Sequence, residues 1–266
     1  MDKKIFSFGI SSAHLHFTHI DEAVKKAVDL GFQIIEFFSP ETDARMNKYS
    51  ASYLRDLCVL NGVIPGYHAP YMNEYDMGLN SFDKISEKMR IIARTILGLQ
   101  PAYIVIHMGT FSQERDEGLL QFTKALNEAL LPSLDGWQGA IGIENFTLCH
   151  GPKALGDRIE DFRFVFGRVG MPNVGLTLDF GHANITRNLF IYIEQFGNRL
   201  VSTHIADNGG TDDEHSCVGD GTVDWTEALR EISLKGFRGP HIIECANPEV
   251  ALMRVREILS SIQQVG

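Results

Sequence analysis

The chain has 266 residues, 44% of them hydrophobic and 22% charged, the profile of a soluble globular protein about as long as one α/β barrel, able to bury roughly three quarters of its unfolded surface without covalent staples. Its formal net charge of −10 argues against broad nucleic-acid contact, which needs clustered Lys and Arg; no apolar run approaches the roughly 20 residues of a membrane span, and the absence of a signal-peptide pattern makes a cytoplasmic location the expectation. Cys58, Cys149, Cys217 and Cys245 are widely spaced with no CxxC pair, which reads as four unrelated thiols in a reducing compartment.

Short β-branched and aromatic runs alternate with longer amphipathic segments along the whole chain. A strand is expected at 5–10, followed by a helix at 20–30 in which Ile20, Ala23, Val24, Ala27 and Val28 form an apolar stripe. Strand 33–37 leads to helix 50–61, strand 63–67 to helix 81–97, and strand 103–106 to helix 117–131. The second half repeats the pattern: 140–143 then 152–166, 174–178 then 187–196, 200–205 then 226–234, and 240–243 then 248–263. Gly31, Gly62 and Gly236 follow helix ends, at the position where a left-handed residue closes a helix. Eight βα units predict a closed parallel sheet, an α/β fold of the (β/α)8 TIM-barrel type. No linker or low-complexity tract divides the chain, so residues 1–266 are expected to form one domain.

Active sites of such barrels lie on the loops that follow the strands. Histidines 14, 16, 68, 107, 150, 182, 204 and 215 all fall at strand ends or just beyond; only His19 and His241 do not. Glu36, Glu144, Asp179, Asp207, Asp213 and Glu244 join the same rim. A charged group that ends an apolar strand is costly to desolvate unless it is paired or coordinated. A divalent cation meets that need for carboxylates and neutral imidazoles together. Glu36 either belongs to this set or makes a plain polar contact. Phe146, Phe180 and Trp225 either wall a pocket or pack the rim, and Gly219–Gly221 reads as a tight turn.

The motifs YHAPY (67–71), VIHMG (105–109), IGIENF (141–146), LTLDFGHAN (176–184), STHIADN (202–208), DEHSCVGDGTVDW (213–225) and IIE (242–244), in this order and at barrel spacing, resemble the xylose-isomerase-like barrel superfamily. That superfamily includes sugar and sugar-phosphate isomerases and epimerases and the endonuclease IV branch. The resemblance implies a core metal site of Glu144, Asp179, His204 and Glu244. In the isomerase branch these hold one Mn, Mg, Co or Zn ion, and the two glutamates, here Glu144 and Glu244, exchange protons with substrate. It also places His68, His107, His182, Asp213 and His215 where the endonuclease branch has further ligands, so that up to three zinc ions are implied.

The loops ISSAHLHF and FFSPETDARM depart from the basic DNA-gripping loops of that branch, and the mouth is sparse in cations, with Arg45, Arg115, Lys153, Arg158 and Arg187 the candidates. His215 stands where ketose 3-epimerases usually carry an Arg. The resemblance is therefore taken to imply a metal-dependent isomerase or epimerase of a sugar, sugar phosphate or related polyol. In it Glu144 and Glu244 are acid/base residues, and His182, His215 and Trp225 touch substrate. An endonuclease IV-like zinc phosphodiesterase is the alternative, and a barrel that only binds its ligand is a third. The expected partner is a small polyhydroxylated molecule rather than nucleic acid or membrane, and a homo-oligomer is compatible with the sequence.

Overall fold

The computed structural model describes residues 6–265, so the start of the expected first strand at residue 5 and the side chain of His150 lie outside the described residues. Eight parallel strands close into a barrel in chain order, with β1 paired to both β2 and β8. They are β1 Phe8–Ser11, β2 Ile34–Phe38, β3 Ile64–His68, β4 Tyr103–Ile106, β5 Ala140–Glu144, β6 Val174–Asp179, β7 Leu200–Ile205 and β8 His241–Ile243. The helices are α1 Ile20–Asp29, α2 Ala51–Asn61, α3 Phe82–Leu99, α4 Arg115–Lys124, α5 Ile159–Phe166, α6 Phe180–Ile185, α7 Leu189–Phe196, α8 Trp225–Leu234 and α9 Pro248–Val265. This is the (β/α)8 TIM barrel.

Successive residues of a strand face opposite sides of the sheet. Ile35 and Phe37 pack in the large cluster shared with the helices, together with Ile20, Ala23, Val24 and Ala27 of α1. Ile34 instead joins Tyr103, Val105 and Ile242 in a separate small cluster, which by that alternation is the barrel interior. Glu36, two residues on from Ile34, therefore points inward as well. Between β6 and β7 the register shifts, Leu176 pairing with Leu200 but Thr177 with Ser202, and the Thr177 and Ser202 hydroxyls hydrogen-bond across at 2.8 Å.

Several expectations change in detail. The first strand runs Phe8–Ser11, leaving Phe6 and Ser7 outside it, and Val28, at the edge of the α1 stripe, is 38% exposed. The helix expected over 152–166 begins only at Ile159. Gly156 adopts a φ of 91° and donates its N–H to Asp161 at 2.8 Å, so the chain turns before the helix starts. The helix expected over 117–131 is α4 followed by a π-helical stretch at Ala125–Leu130. A helix not foreseen, α6, follows β6 directly because the Asp179 carboxylate caps it, accepting the His182 N–H at 2.6 Å. Gly31, Gly62 and Gly236 take the expected positive φ.

Candidate metal centre

The strands deliver Glu36 from β2, His68 from β3, Glu144 from β5, Asp179 from β6 and His204 from β7 to one end of the barrel. His107 and Glu244 lie one residue beyond β4 and β8, His182 lies in the first turn of α6, and Asp213 and His215 come from the loop after β7. Residues 36, 68, 107, 144, 179, 182, 204 and 244 are all at most 6% exposed. Burying this many ionisable groups together is unfavourable without mutual compensation.

Glu144 is the shared corner. Its Oε2 lies 3.2 Å from His68 Nε2 and 3.0 Å from His107 Nε2, and those two nitrogens are 3.2 Å apart. Its Oε1 lies 3.2 Å from His204 Nδ1 and 3.5 Å from His182 Nδ1. His204 Nδ1 also faces Glu244 Oε2 at 3.5 Å and Asp179 Oδ2 at 4.0 Å. Further out, Asp213 Oδ2 sits 3.3 Å from His182 Nε2 and 3.4 Å from His215 Nε2.

The second nitrogen of three of these rings fixes what the first can do. His68 Nδ1 faces the Ala69 carbonyl at 3.0 Å, His182 Nδ1 the Asn145 carbonyl at 2.9 Å, and His215 Nδ1 the Glu244 carbonyl at 2.7 Å. A carbonyl only accepts, so each Nδ1 carries the hydrogen and each neutral ring turns a bare Nε2 toward a carboxylate. Such a nitrogen and a carboxylate attract either when the ring is protonated or, for a bare lone pair, when a cation lies between them. His68, His107 and Glu144 offer three such atoms 3.0–3.2 Å apart, near the roughly 3.3 Å edge of a tetrahedron with bonds of about 2.0 Å, the dimensions of a zinc site. Among the described residues, Asp179 Oδ2, both nitrogens of His204 and His107 Nδ1 are buried with no hydrogen-bond partner. The donor set therefore fits divalent ions, and the groups His68–His107–Glu144, Glu144–Asp179–His182 and Glu36–His204–Glu244 could each hold one.

Protonation follows the same balance. Burial alone would raise Glu144, yet the imidazoles of His204 and His107 hold it well below the usual carboxylate range. Burial raises Asp179 and Glu244. His182 is pushed up to about 10 against the effect of burial, chiefly by Asp179 and Asp213, and His215 to about 9, chiefly by Asp213. Burial takes His107 down to about 4.

His68, His107, Glu144, His182, Asp213, His215 and Glu244 border a cavity of about 110 Å³ lined also by Ala13, His14, Phe38, Tyr71 and Phe146, small beside the roughly 300–1,000 Å³ of drug-sized ligand sites. Among the described residues neither Lys nor Arg lines it. Arg115 is bound to Asp157 and Asp161 at 2.7 and 2.6 Å, Arg45 to Asp43, and Lys153 to the Ser112 carbonyl; Arg158 lies 3.8 Å from Asp157.

The profile of the xylose isomerase-like TIM barrel family matches residues 24–263. The chain belongs to this family. Over 97% of its length it is 26% identical to the uncharacterized protein MJ1311 of Methanocaldococcus jannaschii, covering 89% of that protein. Among solved structures, a D-tagatose 3-epimerase-like protein superposes with a TM-score of 0.81 at 24% identity, 97% of each chain being covered. An L-ribulose 3-epimerase superposes with a TM-score of 0.83 at 13% identity, over 98% of this chain and 96% of that one. At such identities the likeness is one of fold.

Within this xylose isomerase-like barrel, the nine residues expected as ligands converge at one rim. Trp225 does not line the cavity. It is 4% exposed, its ring packs on Phe180 at 4.9 Å, and its indole N–H donates to Asp207 Oδ2 at 2.7 Å. The indole serves the loop that carries Asp213 and His215. Asp207 gathers that loop, also accepting the backbone N–H groups of Gly219 and Val223. Of the three aromatics considered, Phe146 reaches the cavity and Phe180 is packed behind it. Phe38 and Tyr71 line the cavity as well, beside His14 of the rim histidines. Tyr71, three residues past His68 in YHAPY and 4.1 Å from the His107 ring between centroids, carries a sequence signal of its own, an aromatic in the loop after a strand.

Proposed function

We propose that this chain is a divalent-metal-dependent isomerase or epimerase that moves a proton on a small, uncharged polyhydroxylated substrate such as a sugar or polyol. The observation that carries this reading is the convergence of Glu144 and Glu244 on one nitrogen of His204, Nδ1, at 3.2 and 3.5 Å, beside a small cavity whose lining among the described residues holds carboxylates and imidazoles but no Lys or Arg.

Counting imidazoles as neutral, the mouth holds five carboxylates, Glu36, Glu144, Asp179, Asp213 and Glu244. One divalent ion leaves this set anionic, which favours a neutral substrate over a phosphorylated one. The ion supplies Lewis acidity toward a carbonyl or hydroxyl and stabilises the charge that develops when the adjacent carbon loses a proton. Asp179 and His204 serve as ligands. Glu144 and Glu244 serve both as ligands and as the groups that take and return the proton. His182, His215 and His14 border the space where substrate hydroxyls would lie, and Phe38, Tyr71 and Phe146 exclude water around it.

A second reading, zinc-dependent phosphoester hydrolysis, is favoured by one specific observation: both oxygens of Glu144 are flanked by imidazole nitrogens. With three ions bound, the same five carboxylates would leave the centre slightly cationic, and both oxygens of Glu144 would be engaged in holding ions rather than free to act as a base. The number of ions thus decides between the readings. The test loads the protein with Mn, Co, Mg or Zn and incubates it with ketoses and polyols in heavy water. Incorporation of carbon-bound deuterium by the wild type and its loss in Glu144→Gln support the proposal. Three zinc ions per chain with cleavage of a phosphoester or of abasic-site DNA, and no exchange, overturn it.

A further inference from the structure

Glu36 has no task in the chemistry just described, although it is wholly buried. Its Oε2 accepts the Tyr103 hydroxyl at 2.8 Å, while its Oε1 faces His204 Nε2 at 3.3 Å; beyond this approach, neither Oε1 nor His204 Nε2 has a hydrogen-bond partner among the described residues. The barrel interior makes room for the arrangement. A Cβ on Gly66 would come within 2.6 Å of Tyr103 Oη, so the glycine on β3 lets the β4 tyrosine reach the β2 glutamate. A carboxylate placed this deep, beside an imidazole whose opposite nitrogen faces three more carboxylates, needs positive charge close by, from the protonated ring or from an ion on its far side.

We propose that Glu36 is a positioning residue for the metal centre. Held by Tyr103, it takes the Nε2 hydrogen of His204 and so presents the Nδ1 lone pair to the space shared with Glu144, Asp179 and Glu244. This inference rests on the metal-dependent reading above. A carboxylate behind a ligating imidazole fixes its tautomer and raises its basicity, and losing such a partner typically weakens metal binding about 10–100-fold.

The test compares wild type, Glu36→Gln, Glu36→Ala and Tyr103→Phe. It measures cobalt or zinc stoichiometry, the affinity against a competing chelator, the visible spectrum of the cobalt form, and thermal unfolding of each metal-free protein. Gln keeps an acceptor without the charge, Ala removes both, and Tyr103→Phe leaves the carboxylate but loosens its grip. The expected result is unchanged stoichiometry, affinity reduced about 10–100-fold in Glu36→Gln and less in Tyr103→Phe, with altered cobalt absorption in both. A Glu36→Gln protein that folds and holds metal as tightly as wild type overturns the inference, as does one that loses a whole ion, since Glu36 would then be a ligand itself. A wild type that holds no metal instead overturns the metal-dependent reading as well.

Discussion

Two histidines of this barrel are equally buried and oppositely biased. His241 begins β8, at the end of the barrel away from the mouth, among the rings of Phe6, Phe8 and Phe237, with the Thr203 hydroxyl 2.8 Å from its Nδ1. Burial, with help from Arg238, pushes it down to about 3. At the mouth, His182 is as deeply enclosed, yet the carboxylates of Asp179, Asp213 and Glu144 lift it to about 10. Burial by itself makes a histidine neutral. Only the surplus of carboxylates at the mouth creates a place that prefers positive charge, and it does so where a TIM barrel carries its chemistry.

The largest expected effect of disturbing this contrast is on catalysis. Glu144→Gln removes both the shared corner of the ligand set and the proposed base, and solvent-hydrogen exchange into substrate should fall by about 10²–10⁴-fold. Retention of wild-type exchange would show that the mouth's anionic charge is not used in this way.

The closed end should reveal itself in acid. A histidine whose folded pKa lies below its unfolded value of 6.5 binds protons more readily in the unfolded chain, so its contribution is intact above 6.5 and is lost as pH falls toward about 3. The loss should approach roughly 1.4 kcal/mol per pH unit within that window. Denaturant titrations of wild type and His241→Phe between pH 7 and pH 4 check this, and equal slopes in the two proteins would contradict it.

Metal should act at the open end alone. Because His182 and His215 are held up to about 10 and about 9, both carry protons at pH 7 before an ion arrives, and loading releases them where further ions recruit these rings as ligands. Zinc titrations in buffers of different ionisation enthalpy should register that release when more than one ion binds and not when a single ion is held at His204. Ion at 100 times its dissociation constant should add about 2.7 kcal/mol to unfolding stability. A titration with no protons released would mean that these two rings stay out of the coordination.

The smallest effect concerns the loop after β7. Trp225→Phe leaves Asp207 Oδ2 without the indole donor, a loss of about 1–3 kcal/mol for a buried charged acceptor. Ions held by Asp213 and His215 should be released before those held at His204, as a chelator time course would show.

Much of this was legible in the sequence for one geometric reason. A parallel barrel brings the ends of all its strands together, so a His or acid closing each apolar run, such as His68, Glu144, Asp179 or His204, is placed by the strand alone. Loop side chains lack that guarantee. Trp225 sits beside the ligand motif in sequence, but its direction is set by Asp207, a partner 18 residues away. His14 reaches the cavity through its packing on His215, with ring centroids 4.8 Å apart, which nothing local to either residue reports. The late start of α5 has the same origin, since Asp161 engages both the Gly156 N–H and the side chain of Arg115, a residue 46 positions earlier.

The most direct measurement is the metal content of the purified wild-type chain, loaded with zinc or manganese, dialysed and then quantified, with anomalous scattering used to place each ion. Between one and three ions bordered by Glu144 and His204 are expected. A folded barrel that comes through dialysis with none, or that holds its ions elsewhere, would contradict the account.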